Sequence, residues 1–192
     1  MRSKRWVVMA AVLTAAAGQP AMAQSGAFAL YAQGGHHMPL ADLSDAGDAL
    51  GSGVSYGGGL ALMLGQNLAI RGYVNRHSSN YSGDALMLQD RGFARLFYGG
   101  DLLIGWTTGI GLAPYILGGV GGVRIDPEES GEASFAKFAT RFGTGINFLI
   151  QDARLTPFLE ISGWIFDFDR LGFDRTQVDF TMSVGLAWTI PY

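Results

Sequence analysis

The chain of 192 residues has no cysteine. That excludes a disulfide framework, thiol catalysis, and cysteine-bound zinc or iron–sulfur centres. Charge is scarce too: Asp, Glu, Lys and Arg make up 15% of the chain, against about 25% in an average soluble domain. With 48% hydrophobic residues, such a composition excludes intrinsic disorder, which needs the opposite balance. The few basic residues form no stripe, so nucleic acid is excluded as a partner. What is abundant is glycine and aromatic side chains: 29 Gly, 12 Phe, 7 Tyr and 4 Trp. The glycines follow no G-X-Y period, which rules out collagen. The length suits one domain.

Residues 1–23 read as a cleaved secretory signal peptide. Arg2, Lys4 and Arg5 form a basic start, residues 6–17 an apolar run, and Ala21-Met22-Ala23 a small-x-small cleavage site. The run is too short for a membrane anchor, which needs about 20 residues. Removing these three basic residues leaves 10 basic against 16 acidic, a net charge of −6 over residues 24–192.

Residues 102–123 carry no charge and are long enough to imitate a transmembrane helix. They contain seven glycines and Pro114. Each Gly costs roughly 1 kcal/mol in a helix interior and Pro about 3, so the segment reads as two strands and a turn.

Period two governs the rest. Val178, Phe180, Met182, Val184, Leu186, Trp188, Ile190 and Tyr192 hold every even position at the C-terminus. Small or polar residues hold most odd ones, which defines a strand with one apolar face. Soluble strands usually run five or six residues, whereas about 9–11 are needed to cross a bilayer. Seven further segments show strand character: 26–33, 54–64, 68–76, 93–104, 113–123, 135–150 and 155–165. The connections between them alternate long and short, as in bacterial outer-membrane barrels with short periplasmic turns and longer outer loops.

On these features the chain resembles the small eight-stranded bacterial outer-membrane β-barrels. It is similar in plan to the outer-membrane protein A transmembrane domain and the opacity-type surface proteins. The last strand carries the most specific likeness, with apolar Val184, Leu186, Trp188 and Ile190 behind terminal Tyr192. In that family this pattern implies recognition by the barrel-assembly machinery. Pro191 and the Tyr in place of the commoner Phe depart from it.

The same alternation assigns Arg71, Arg95, Asp101, Lys137, Arg141, Glu160 and Asp179 to the barrel interior. Four are basic and three acidic, and an eight-stranded bore is just wide enough for its own side chains to fill. Arg95, Arg141, Glu160 and Asp179 are expected near mid-height, with Arg71 and Asp101 lower and able to pair. Glycine runs at 57–59, 99–100, 118–119 and 121–122 fit tight coiling and room for bulky inward neighbours such as Phe97. They lack the spacing and helix context of a phosphate cradle. Trp106, Tyr115, Phe158, Trp188 and Tyr192 are expected as one interfacial aromatic band, with Phe93, Phe135, Phe166 and Phe168 as the other. Bulky apolar residues inside would instead mark a soluble ligand-binding barrel.

His77-Ser78-Ser79-Asn80 resembles the catalytic string of outer-membrane lipid A 3-O-deacylases. The resemblance implies His77 as base and Ser79 as nucleophile. No Glu follows until Glu128, and the string lies mid-chain rather than near the C-terminus. His36 and His37, read on the first loop, point to opposite sides of an extended segment and cannot easily share an ion. Asp42, Asp45 and Asp48 lack calcium-loop spacing. Asp126, Glu128, Glu129 and Glu132 form a second acidic patch. Both patches suit solvated loops or cation bridges to lipopolysaccharide phosphates.

The reading is therefore all-β, an eight-stranded antiparallel up-and-down transmembrane β-barrel over residues 24–192. It is monomeric, without cofactor or metal, and not an enzyme. Its expected partners are outer-membrane lipids, lipopolysaccharide and the assembly machinery, through a plugged polar interior and four surface loops. A narrow gated channel and a lipid A acyl-chain hydrolase are the alternatives.

Overall fold

A computed structural model describes residues 27–40, 49–82, 92–127, 134–151, 153–169 and 175–190. The strands are β1 (Phe28–Pro39), β2 (Ala49–Leu50), β3 (Gly53–Met63), β4 (Leu68–Ser82), β5 (Gly92–Gly105), β6 (Leu112–Pro127), β7 (Phe135–Phe148), β8 (Leu155–Phe168) and β9 (Arg175–Ile190). The eight long strands pair antiparallel with their neighbours, and β1 with β9 closes the barrel. β2 adds a two-residue pairing at the far end of β4. Following the register once around from Phe28 returns to β1 at Met38, ten residues along. Such stagger accompanies strongly tilted strands, about 35–45° from the axis. Short turns join β3–β4, β5–β6 and β7–β8 at one end, the turn end. The longer connections lie at the other, the loop end.

The charge-free segment 102–123 is indeed the end of β5, a turn, and most of β6. Trp106 N–H donates to the Pro114 carbonyl at 2.9 Å and Thr108 N–H to that of Leu112 at 3.0 Å. Gly109 and Gly111 take φ of 75° and 79° in this turn, a backbone that L side chains resist.

The outer wall is apolar. Leu60, Val74, Val120, Phe138, Val184 and Trp188 point outward and are exposed, whereas their odd-numbered or even-numbered alternates point in. Water would not tolerate so continuous an apolar surface on a monomer; the wall is built for lipid. Inward lie fully buried Arg95, Glu160 and Asp179 beside fully buried Phe97, Trp164 and Phe168.

Several strands run further toward the loop end than hydropathy predicts. β1 ends at Pro39 rather than 33, β4 at Ser82 rather than 76, β6 at Pro127 and β8 at Phe168. The apolar outer face stops where lipid stops, but backbone pairing continues beyond it. His36, His37, His77, Ser79 and Asp126 therefore sit on strands and not on loops.

The aromatic bands also differ from expectation. Tyr115, Phe158, Phe166 and Phe168 point into the lumen and are buried, and Phe135 packs against that core. Their parity matches Glu160 or Gly119, which face inward. Trp188 does face outward toward the turn end, as expected, and the other exposed aromatics include Phe28 and Phe148 toward that end, Phe142 between, and Tyr56, Tyr98 and Phe138 toward the loop end. Aromatic bulk inside is thus no mark against a membrane barrel. The Phe93 side chain, Tyr192 and residues 1–23, read from the sequence as a signal peptide, lie outside the described residues.

Candidate functional site

The lumen holds two polar layers separated by aromatic rings. Nearer the turn end, Arg71 on β4 and Asp101 on β5 are direct register partners. The same ladder line continues through Gly119 on β6 to Arg141 on β7. A Cβ on Gly119 would fall 2.2 Å from Asp101 Oδ1, so the bare glycine is what lets Asp101 and Arg141 meet across β6. Asp101 Oδ2 accepts from Arg71 Nη2 at 2.8 Å and from Arg141 Nη1 at 2.8 Å. Glu160 accepts from Arg71 Nη1 at 2.7 Å, Arg141 Nη2 at 2.5 Å and the Tyr115 hydroxyl at 2.9 Å. Gly145 lies between Tyr115 and Glu160 on their ladder line and leaves that hydroxyl its path. Two guanidiniums and two carboxylates close a neutral, buried ring, the arrangement in which charges in low dielectric are tolerable.

Aromatic faces complete it. Arg71 lies over Tyr31 at 5.0 Å, and Arg141 over Tyr73 at 4.8 Å and Trp164 at 4.5 Å, distances that favour cation–π attraction. Trp164 in turn packs on Phe97 at 4.4 Å and Tyr73 at 5.1 Å. These rings form a septum across the bore. Below the ring, a small cavity of about 70 Å³ opens at the turn end, among Ala29, Ala61, Ala69, Tyr31 and Phe158, with Arg71 on its wall.

Toward the loop end, Arg95 pairs with Asp179 and reaches Ser79 Oγ at 3.3 Å. His77 stacks on His37 with ring centroids 4.9 Å apart, and His77 Nδ1 lies 3.8 Å from Asp179 Oδ2. Lys137 sits higher, half-buried, and pairs with Asp169 at the rim.

All seven charges assigned to the interior face the lumen. Their grouping differs from the expected heights. Arg141 and Glu160 join Arg71 and Asp101, while Arg95 and Asp179 form the second layer alone. The stagger between strands lifts residues of one strand relative to the next, which counting from each strand's end ignores. Trp164 and His37 are the central residues that sequence reasoning missed. Both share parity with inward neighbours, and that was the available signal.

His77 and Ser79 are buried inside the wall, on the face opposite lipid. The hydroxyl of Ser79 is engaged by Arg95, and acyl chains outside the barrel have no line to either side chain. His37 is fully buried and His36 exposed, the opposite facing that adjacent positions dictate. No cluster of three metal donors occurs among the described residues. Asp42, Asp45, Asp48, Glu128, Glu129 and Glu132 lie outside them, and Asp126 pairs with Arg124 at 3.0 Å. Val184, Leu186, Trp188 and Ile190 form an exposed outward row on β9.

A closed eight-stranded barrel with an apolar outside and a packed ionic inside defines the class: a small transmembrane β-barrel. Solved structures share this fold. Neisserial surface protein A matches with a TM-score of 0.67 at 14% identity, over 86% of this chain and 99% of that one. OprG from Pseudomonas aeruginosa matches with 0.59 at 13% identity, over 88% and 97%. The attachment invasion locus protein Ail of Yersinia pestis, in complex with the heparin analogue sucrose octasulfate, matches with 0.51 at 12% identity, over 87% and 100%. No protein-family model and no curated protein sequence matches the chain.

Proposed function

We propose that this chain is an integral outer-membrane β-barrel protein with a plugged interior. Its role is structural or one of surface interaction through the loop end. The observation that carries this is the neutral ring of Arg71, Asp101, Arg141 and Glu160 beneath the Trp164–Phe97 septum. It leaves the lumen to hold the barrel rather than to pass solute. The connections at the loop end carry Asp42, Asp45, Asp48, Glu128, Glu129 and Glu132, so a polyanion such as the one held by Ail is a poor partner. Contact with lipopolysaccharide phosphates would run through divalent cations. Insertion would rest on the β9 row Val184, Leu186, Trp188 and Ile190, on Tyr192 beyond it in sequence, and on the barrel-assembly machinery.

The test is to extract the protein from outer-membrane fractions and follow its gel migration before and after boiling. An unheated band that migrates faster, together with no defined conductance in planar bilayers, is the expected result. A protein that stays soluble without detergent would overturn the reading.

A further inference from the structure

Three histidines occur in the whole chain; all lie toward the loop end of the barrel, His37 and His77 inside it and His36 on its outer face. His77 on β4 and His37 on β1 stack at 4.9 Å with 17° between ring planes, and both are fully buried. His77 Nδ1 is buried without a hydrogen-bond partner, and so is Asp179 Oδ1. The two side chains nevertheless face each other, with Nδ1 3.8 Å from Oδ2, beyond hydrogen-bond length. Arg95 occupies that same Oδ2. With the neutral ring's proton on Nε2, Nδ1 and the carboxylate are two acceptors face to face, and one proton between them would satisfy both.

We propose that the outer half of the lumen is a single-proton binding site formed by His77 and Asp179. The added proton resides on Nδ1. It converts the facing pair into a charge-assisted N–H···O bond of about 2.8 Å. Asp179 Oδ2 then accepts from both Arg95 and His77, so β4, β5 and β9 share one carboxylate.

The surroundings limit the site to one proton. Around His77 lie Arg95 on β5, Arg141 on β7, Asp179 on β9 and His37 on β1. β8 contributes Trp164 and β5 also Phe97, neither of which titrates. The single carboxylate in this group is already shared with Arg95. A second proton on His37 would place two stacked imidazolium rings beside two guanidiniums, and like charges at that range disfavour the charged form. A proton on His77 therefore disfavours one on His37.

Three histidines make the test clean. The full chain, folded in detergent with ring-labelled histidine, is followed by nitrogen NMR from about pH 8 to about pH 4, with exposed His36 as the reference signal. The expected result is a doubly protonated His77 at the acid end with His37 still neutral. Asp179→Asn should leave His77 neutral across the same range. His37→Phe should leave its proton uptake intact. Heat-shifted gel migration confirms folding of each variant, and should Asp179→Asn misfold for want of a partner to Arg95, the D179N/R95M double variant replaces it. Simultaneous protonation of both rings, a His77 that never takes a proton, or uptake unchanged in the Asp179 variants would overturn the proposal. Uptake lost in His37→Phe would do the same.

Discussion

Glycine is the residue on which this interior depends. Large inward side chains recur with a glycine between them on one ladder line: Asp101, Gly119, Arg141; Tyr115, Gly145, Glu160; Tyr31, Gly59, Tyr73. The missing Cβ makes the space that the neighbour fills. A methyl on Gly145 would fall 2.3 Å from the Tyr115 ring and 2.6 Å from the Leu159 carbonyl. Gly145→Ala should therefore destabilise the barrel by about 1–3 kcal/mol, the usual cost of overpacking. Gly118 faces outward with nothing within 4 Å, so Gly118→Ala should stay within about 0.5 kcal/mol. Urea unfolding in lipid vesicles compares the two, and equal effects would sink the ladder argument. At Glu160, truncation strips three donors of an acceptor in a buried site. Glu160→Ala should cost about 3–5 kcal/mol in the same assay. The glycines were visible in the sequence as too many for ordinary strands. Their partners were not, because only the register tells which large residue lies across from which gap. Tyr115 and Phe158 show a different failure. Phe158 keeps step with Glu160, which already assigned it to the lumen, and the expectation of an interfacial band overrode it; on glycine-rich 113–123 the two faces are less clear, and the same expectation placed Tyr115.

At the scale of elements, the alternation named eight strands because lipid outside and packed charge inside impose period two on both faces. Strand ends were harder, since above the lipid only the inward face stays constrained. β7 and β8 illustrate this. Their pairing runs from Asn147–Phe158 to Ala139–Phe166 and goes no further, although β7 begins at Phe135 and β8 ends at Phe168. β6 still pairs with β7 over that stretch. The seam is therefore open on one side, spanned by the Lys137–Asp169 ion pair and the Phe135–Phe168 contact at 5.7 Å. Alternate amides of residues 135–138 that point toward β8 lack a ladder acceptor there. Hydrogen exchange should find them exchanging well ahead of Thr140 to Ile146, where both neighbours pair. Uniform protection along β7 would contradict this. Lys137→Ala should widen the difference, because the ion pair at the rim is what spans the gap. On β9 the apolar row faces lipid, so Val184→Arg should cost about 2–4 kcal/mol of barrel stability if it sits near the midplane, whereas the neighbouring Ser183 faces the lumen. Vesicle refolding measures it.

For the whole molecule, scarce charge in the sequence becomes a division of labour. The wall facing lipid carries almost none, and the buried charges of the lumen fall into two neutral sets, Arg71, Asp101, Arg141 and Glu160 and then Arg95 with Asp179, so no net field builds up in a low-dielectric bore. The plug is double: the ring of Arg71, Asp101, Arg141 and Glu160 lies in series with the septum of Trp164, Phe97 and Tyr73. Resistances in series are set by the larger, so opening one layer should leave the barrel closed. Phe97→Ala with Trp164→Ala removes the septum but keeps the ionic ring, and planar-bilayer recordings should remain at the lipid background. Asp101→Ala with Arg141→Ala opens the ring without changing net charge, and should also stay closed behind the septum. Only the four substitutions together, in a protein that still shows heat-shifted migration, should produce a defined conductance step. A step from either pair alone would mean that one layer does the sealing. Failure of all four to conduct would place the seal in the packed residues nearer the loop end, where His37, His77 and Phe168 fill the bore.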